Sequence, residues 1–168
     1  NNQEAVDFHF MAYRMAEDKS VMLPVMVCMD GFILTHGMEI VDMPTQQQVD
    51  AFLKPYKALY KLDTSEPVTL GILADPDYYL ETRYAIQETF KHVLDFLPKV
   101  SSEFKAAFGR DYNDYLVEEY KTKDADKVIV AMGSVCGTIK DVIDELREKG
   151  KKIGLLRIIS YRPFPYAR

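Results

Sequence analysis

An α/β fold with parallel strands is what this sequence predicts, and two observations predict it. Val128 to Met132 is apolar throughout, and an amphipathic stretch from Thr138 to Lys149 separates it from a second apolar run, Ile153 to Ile159. Strand, helix and strand within ~30 residues make a right-handed parallel crossover. Val21 to Met29 is a further run, apolar at nearly every position, as strands are in parallel sheets covered on both faces.

Taken in order, residues 2–17 place Ala5, Phe8, Ala12, Met15 and Ala16 on one helix face, with Asn2 as N-cap. Val21 to Met29 follows as a strand. Pro24 removes a ladder donor there, which suits an early position or a sheet edge. Asp30-Gly31-Phe32 is a turn at the strand's carboxyl end. Thr45 caps a helix that runs to about Leu53, with Gln48 at the capping-box position. Residues 56–67 are irregular and end in turn material, so a boundary between two units is placed there, after residue 60. Val68 to Leu73 is a short strand.

Asp77 to Leu97 is a long helix with Ile86, Phe90, Val93, Leu94 and Leu97 on one face, broken by Pro98. Ser101 or Ser102 caps another helix that closes at Gly109, and Tyr115 to Tyr120 is a strand ahead of the β-α-β unit. The Val128 strand is expected to be buried.

The 168 residues include 26 acidic and 21 basic side chains, for a net charge of −5. Nucleic acid and anionic membrane surfaces need a concentrated basic face, so neither is expected as a partner. Arg147, Lys149, Lys151 and Lys152 fall at a helix C-terminus, where cations complement the helix dipole; an anionic ligand or partner surface is the other reading. No run approaches the ~20 apolar residues of a membrane span, and no signal peptide is visible. Cys28 and Cys136 lie in apolar strand or strand-end settings, which predicts buried free thiols in a reducing, cytoplasmic compartment. The chain starts without Met and enters a helical pattern at once, which predicts a piece of a larger enzyme.

Two strand-end turns are the candidate sites. Gly133-Ser134 and Gly137 stand between a strand and a helix, where backbone N–H groups and the positive helix end suit an anion. The spacing fits neither the dinucleotide fingerprint nor a phosphate loop, and a tight β-to-α turn is the alternative. Asp30-Gly31, with Thr35 and His36 beyond, ends the Val21 strand; ligands of open α/β sheets bind outside strand carboxyl ends, and local turn chemistry is the other reading. His9, His36 and His92 share no metal-ligand spacing, and no residue pattern for a metal or a nucleophile is present. Tyr56, Tyr60, Tyr78, Tyr79 and Tyr84 gather around the boundary, as expected for packing between domains or subunits.

Three segments resemble pyruvate:ferredoxin oxidoreductase and its 2-oxoacid relatives, in the α subunit or the matching region of the single-chain form. They are Asn2 to Asp7 with Leu23 to His36; Leu53 to Tyr56 through Leu70-Gly71 to Asp77-Tyr78-Tyr79; and Lys127 to Ser134 ending in Tyr161-Arg162-Pro163-Phe164-Pro165. The third segment is also similar to the C-terminal domain of transketolase-type enzymes.

The resemblance implies that residues 1–60 are the later part of a thiamine-diphosphate pyrimidine-type domain, and that residues 61–168 form a transketolase C-terminal-like parallel-sheet domain. It implies thiamine diphosphate and Mg in the whole enzyme, with iron–sulfur clusters on other subunits or domains. The partners it implies are those subunits, ferredoxin and coenzyme A. Asp30, Gly31 and His36 are the candidates for contact near the cofactor. The family's substrate Thr, its cofactor-activating Glu, its substrate Arg and its Gly-Asp-Gly metal motif have no match, so no catalytic or metal residue is carried over and no cofactor is expected on these residues alone. A non-catalytic α/β subunit-docking module is the alternative reading.

Overall fold

The structure is a computed structural model that describes residues 1–167. Five helices and three strands run in the order α1 (Asn2–Ala16), α2 (Ile33–His36), α3 (Gln46–Phe52), α4 (Pro76–Phe108), β1 (Val117–Tyr120), β2 (Lys127–Ala131), α5 (Val135–Glu148) and β3 (Ile153–Ile158). The chain is α/β as expected, and the β2-α5-β3 crossover is parallel. The sheet itself is mixed: its order is β1-β3-β2, and β1 pairs antiparallel with β3.

Helix α1 begins one residue earlier than the sequence suggests. Asn1 caps it, in a reciprocal capping box with Glu4. Its buried face carries the expected Ala12 and Met15 together with Asp7 and Met11, while Ala5, Phe8 and Ala16 are half-buried. The capping box of Thr45 and Gln48 opens α3 where the sequence places it.

Val21 to Met29 is a correction. The segment is extended but belongs to no strand ladder among the described residues. Its side chains alternate: Val21 is buried and Leu23, Val25 and Val27 are half-buried, whereas Met22, Pro24, Met26 and Cys28 are exposed. One face therefore packs on the core, and the apolar run does not mean coverage on both faces. Cys28 is exposed for the same reason, against the expectation of two buried thiols; Cys136 is buried.

The break at Pro98 is a second correction, because α4 continues through it to Phe108. A proline costs the helix one hydrogen bond, but Val93, Phe96, Leu97, Val100 and Phe104 on both sides of it are buried in the same core. Ser101 and Ser102 are not caps. Ser101 Oγ donates to the Asn113 carbonyl at 2.7 Å, and Ser102 Oγ donates to the Pro98 carbonyl at 2.9 Å.

Val68 to Leu73 is no strand and is exposed. Nor is β2 a buried strand: it lies at the sheet edge, and Val128, Ile129 and Val130 are 44%, 41% and 58% exposed, so neither face is fully covered there.

Two cores result. The larger joins Met11 and Met15 of α1, Val21, Phe52 of α3, the C-terminal half of α4 and Leu116. The smaller sets Cys136 and Ile143 of α5 on Leu155 of β3. Gly154 in β3 has a steric reason to be glycine, since a Cβ there would lie 2.6 Å from the Lys121 carbonyl oxygen.

A buried carboxylate fastens α1 to the loop after α4. Asp7 is 0% exposed and accepts hydrogen bonds from Arg110 Nε (2.6 Å) and Nη2 (2.8 Å), Tyr112 Oη (2.6 Å) and Gln3 Nε2 (3.0 Å). Arg110 Nη1 reaches on to Asp42 at 2.9 Å. Both oxygens of Asp7 are thus supplied with donors, which is the condition for burying a charge. Replacing Asp7 by Ala leaves Arg110 and Tyr112 without their acceptor and is expected to cost about 3–5 kcal/mol. Asp7→Asn, which keeps an acceptor oxygen, should cost less. Urea unfolding midpoints of the two variants against the parent check both the loss and the order.

Candidate functional site

The N-terminus of α1, the Asp30 turn, the Gly133-Ser134 turn and the β1–β3 side of the sheet surround a cleft of about 430 Å³. Seven charged side chains line it: Glu4, Asp30, Glu39, Asp111, Glu118, Lys140 and Arg157. Each comes from a different segment, so the cleft exists only because the two cores meet there.

Arg157 is the hub. It extends from the central strand, and its Nη1 donates to Glu4 Oε1 at 2.7 Å and Glu118 Oε2 at 3.1 Å, while Nη2 donates to Glu4 Oε2 at 3.0 Å. Lys140 of α5 pairs with the other oxygen of Glu118. Two cations and two anions thus form one chain of ion pairs across α1, β1, β3 and α5. Burial alone would lower the Arg157 pKa, but Glu4 and then Glu118 raise it well above the ordinary guanidinium range. Burial likewise pushes Glu4 up, yet the bidentate Arg157 holds its carboxyl below the usual value.

Asp30 lies at the other wall. Its Oδ1 accepts the Leu34 N–H at 2.8 Å. The Ser134 hydroxyl and then the Leu34 N–H hold its carboxyl below the usual carboxylate range. Ser134 is the N-cap position of α5 and its side chain caps no backbone N–H, so the carboxylate faces a helix end that favours negative charge. Asp30 Oδ2 and Arg157 Nε are buried and make no well-aligned hydrogen bond. The thiol of Cys136, also in the wall, is pushed up by burial and stays protonated at neutral pH.

The two turns singled out from the sequence therefore meet. Asp30 lines the cleft beside Gly133 and Ser134, whereas Gly31 and His36 lie outside its lining. Gly133 has φ +81°, a conformation that explains its glycine. At Gly31, by contrast, a Cβ would meet nothing within 4 Å. His36 stacks on Phe32, with ring centroids 4.8 Å apart. Its Nδ1 lies 3.0 Å from Thr35 Oγ1, which donates to the Gly31 carbonyl at 2.7 Å.

Sequence reasoning missed the Glu4–Arg157–Glu118–Lys140 chain. Its one local signal is Arg157, a charge inside an apolar strand; the partners lie 153 and 39 residues away.

The cleft of this α/β chain lies beyond the carboxyl end of β2, at the turn into α5, where open α/β sheets take their ligands. The chain belongs to the pyruvate flavodoxin/ferredoxin oxidoreductase family. The family model "Pyruvate flavodoxin/ferredoxin oxidoreductase, thiamine diP-bdg" matches residues 1–101, and "Pyruvate:ferredoxin oxidoreductase core domain II" matches residues 125–168. Pyruvate synthase subunit PorA of Methanothermobacter thermautotrophicus is 49% identical over 165 residues, covering 98% of this chain and 43% of that protein. The subunit of the same name from Methanocaldococcus jannaschii is 49% identical over 166 residues, with the same coverage of 98% and 43%. Ketoisovalerate oxidoreductase subunit VorA of Pyrococcus horikoshii is 42% identical over 166 residues, or 98% of this chain and 41% of that protein. The chain thus spans less than half the length of these relatives.

Thiamine diphosphate carries a diphosphate that needs a metal or free cations. Among the described residues no three His, Cys, Asp or Glu side chains group closely enough to hold a metal ion. The cations of the cleft, Arg157 and Lys140, are already neutralised by Glu4 and Glu118. The charged end of thiamine diphosphate does not fit this cleft.

The Glu4 shift makes a pH prediction. A carboxyl whose folded pKa is depressed contributes stability that is present above its unfolded value, near 4.5, and is lost as pH falls through the folded value. Glu4→Gln should therefore be clearly less stable than the parent at neutral pH, with the gap closing on acidification below the ordinary carboxylate range. Urea unfolding at a series of pH values measures the gap; one that is constant across the series contradicts the assignment.

Proposed function

We propose that this chain is part of the α subunit of a pyruvate synthase, a 2-oxoacid:ferredoxin oxidoreductase. The observation that carries this reading is 49% identity over 98% of the chain to pyruvate synthase PorA subunits. The reaction is the oxidative decarboxylation of pyruvate with coenzyme A. Acetyl-CoA and CO₂ form, and two electrons pass through iron–sulfur clusters on other subunits to ferredoxin, or the same steps run in reverse. Thiamine diphosphate with Mg supplies the carbanion chemistry in the whole enzyme. The VorA likeness at 42% keeps a branched 2-oxoacid as the competing substrate.

Within that enzyme these residues build and dock. Arg157 and Asp30 join α1 and the extended segment to the β-α-β unit, and this fixes the carboxyl end of that segment where a cofactor held by other parts of the enzyme would lie. Two units are proposed, residues 1–60 from a pyrimidine-type domain and 61–168 from a transketolase C-terminal-like domain. The C-terminal half of α4 shares its core with α1 and α3, so this helix packs across the proposed boundary. The location proposed is the cytoplasm; no helix among the described residues is long and apolar enough to cross a membrane.

Two measurements test the reading. The native complex containing this polypeptide should reduce methyl viologen when given pyruvate and coenzyme A; a complex that responds to no 2-oxoacid sinks the assignment. Residues 1–168 alone should give no heat of binding with thiamine diphosphate and Mg²⁺ in isothermal titration. Low-micromolar binding there would overturn the statement that the diphosphate is held elsewhere.

A further inference from the structure

One wall of the cleft takes no part in its chain of ion pairs. Cys28, Met29 and Cys136 all line it. They come from two elements that lie far apart in the sequence, the end of the extended segment and the first turn of α5. The Ser134 hydroxyl stands against the Asp30 carboxylate and holds those elements together. Cys28 lies two residues before Asp30, and Cys136 two residues after Ser134, so this contact brings both thiols to one cleft. The alternation of the extended segment also ends here: Cys28 and Met29 are both exposed, Met29 to 48%. Cys136 is 2% exposed, and both cysteines are free.

Hard ions find no site among these groups. No three His, Cys, Asp or Glu side chains among the described residues gather for a metal. The nearby carboxylates are also committed, Glu4 and Glu118 to Arg157 and Asp30 to the Leu34 N–H. Thiolate and thioether donors together select a soft ion such as Cu(I), which is satisfied by about two or three sulfurs. Two thiolates on a monovalent ion leave one net negative charge. The N-terminus of α5 favours negative charge, and Arg157 and Lys140 act on the Cys136 sulfur in the same sense. Burial disfavours a bare thiolate at Cys136, and an ion that replaces the thiol proton removes that penalty.

We propose that Cys28, Cys136 and Met29 form a binding site for a soft monovalent metal ion, Cu(I). Binding exchanges the two thiol protons for the ion and releases them to solvent, and no electron is transferred. Cys28, open to solvent, is the entry to the site. The inference concerns the sulfur wall of the cleft and stands whether or not the activity proposed above is correct.

Titration of the intact polypeptide with Cu(I) in the absence of oxygen, in competition with bicinchoninate, tests it, with bound ions counted by native mass spectrometry. One ion per chain should be retained against the chelator, and X-ray absorption at the copper edge should show sulfur neighbours alone. Cys28→Ser and Cys136→Ala should each weaken binding at least about a hundredfold, and Met29→Leu about tenfold. Met38 is fully exposed and lies outside the cleft, so Met38→Leu should change nothing. Because Cys28 is at the surface, Cys28→Ser carries the test by itself if replacing the buried Cys136 prevents folding, which urea unfolding of each variant shows. No retained ion, nitrogen or oxygen neighbours in the absorption spectrum, or a folded Cys28→Ser variant that binds like the parent overturns the proposal.

Discussion

The structure depends on where α1 can put its carboxylates. A helix with a charge on its buried face is tenable only if other groups bring donors to that charge, and Asp7 recruits three of them. Gln3 comes from the same helix, and Arg110 and Tyr112 from the loop after α4. Because Asp7 lies beside Met11 and Met15, satisfying the carboxylate and packing the methionines select the same position for α4. Arg110 extends the constraint to Asp42, so the segment between α2 and α3 is held by the same group. Specificity is the gain here; a buried ion pair is weak as a source of net stability but expensive to break.

One turn earlier in the same helix, Glu4 repeats the device at the interface with the sheet. Its bidentate pairing with Arg157 ties the first residues of the chain to the central strand. The consequence for chemistry is negative. A cleft whose arginine and lysine are neutralised by two glutamates is a joint, and its polarity does not make it a phosphate site. Asp30 at the α5 N-terminus strengthens this reading, because the helix end that would attract an anion already faces one. The Gly133-Ser134 turn thus serves the fold in a way that its sequence pattern alone left open between two readings.

The exposed half of the molecule makes a different argument. The core gathers α1, α3 and the C-terminal half of α4, while Lys54 to Ala85 and one edge of the sheet present apolar side chains outward.

Local pattern by itself determined the β-α-β unit, the capping box of α3, the start of α1 to within a residue, and family membership through its motifs. These are legible because capping, period and turn chemistry act over a few residues. Other features were decided only by tertiary structure. Whether Val21 to Met29 and Val128 to Val130 were covered depended on neighbours that a run of apolar residues does not specify. Pro98 reads as a helix break until a core packs on both sides of it. Asp7 interrupts an apolar face, and Arg157 an apolar strand; each looks out of place in its own segment. Their charged partners come from 39 to 153 residues away, and only the folded chain brings those opposite charges within hydrogen-bonding distance.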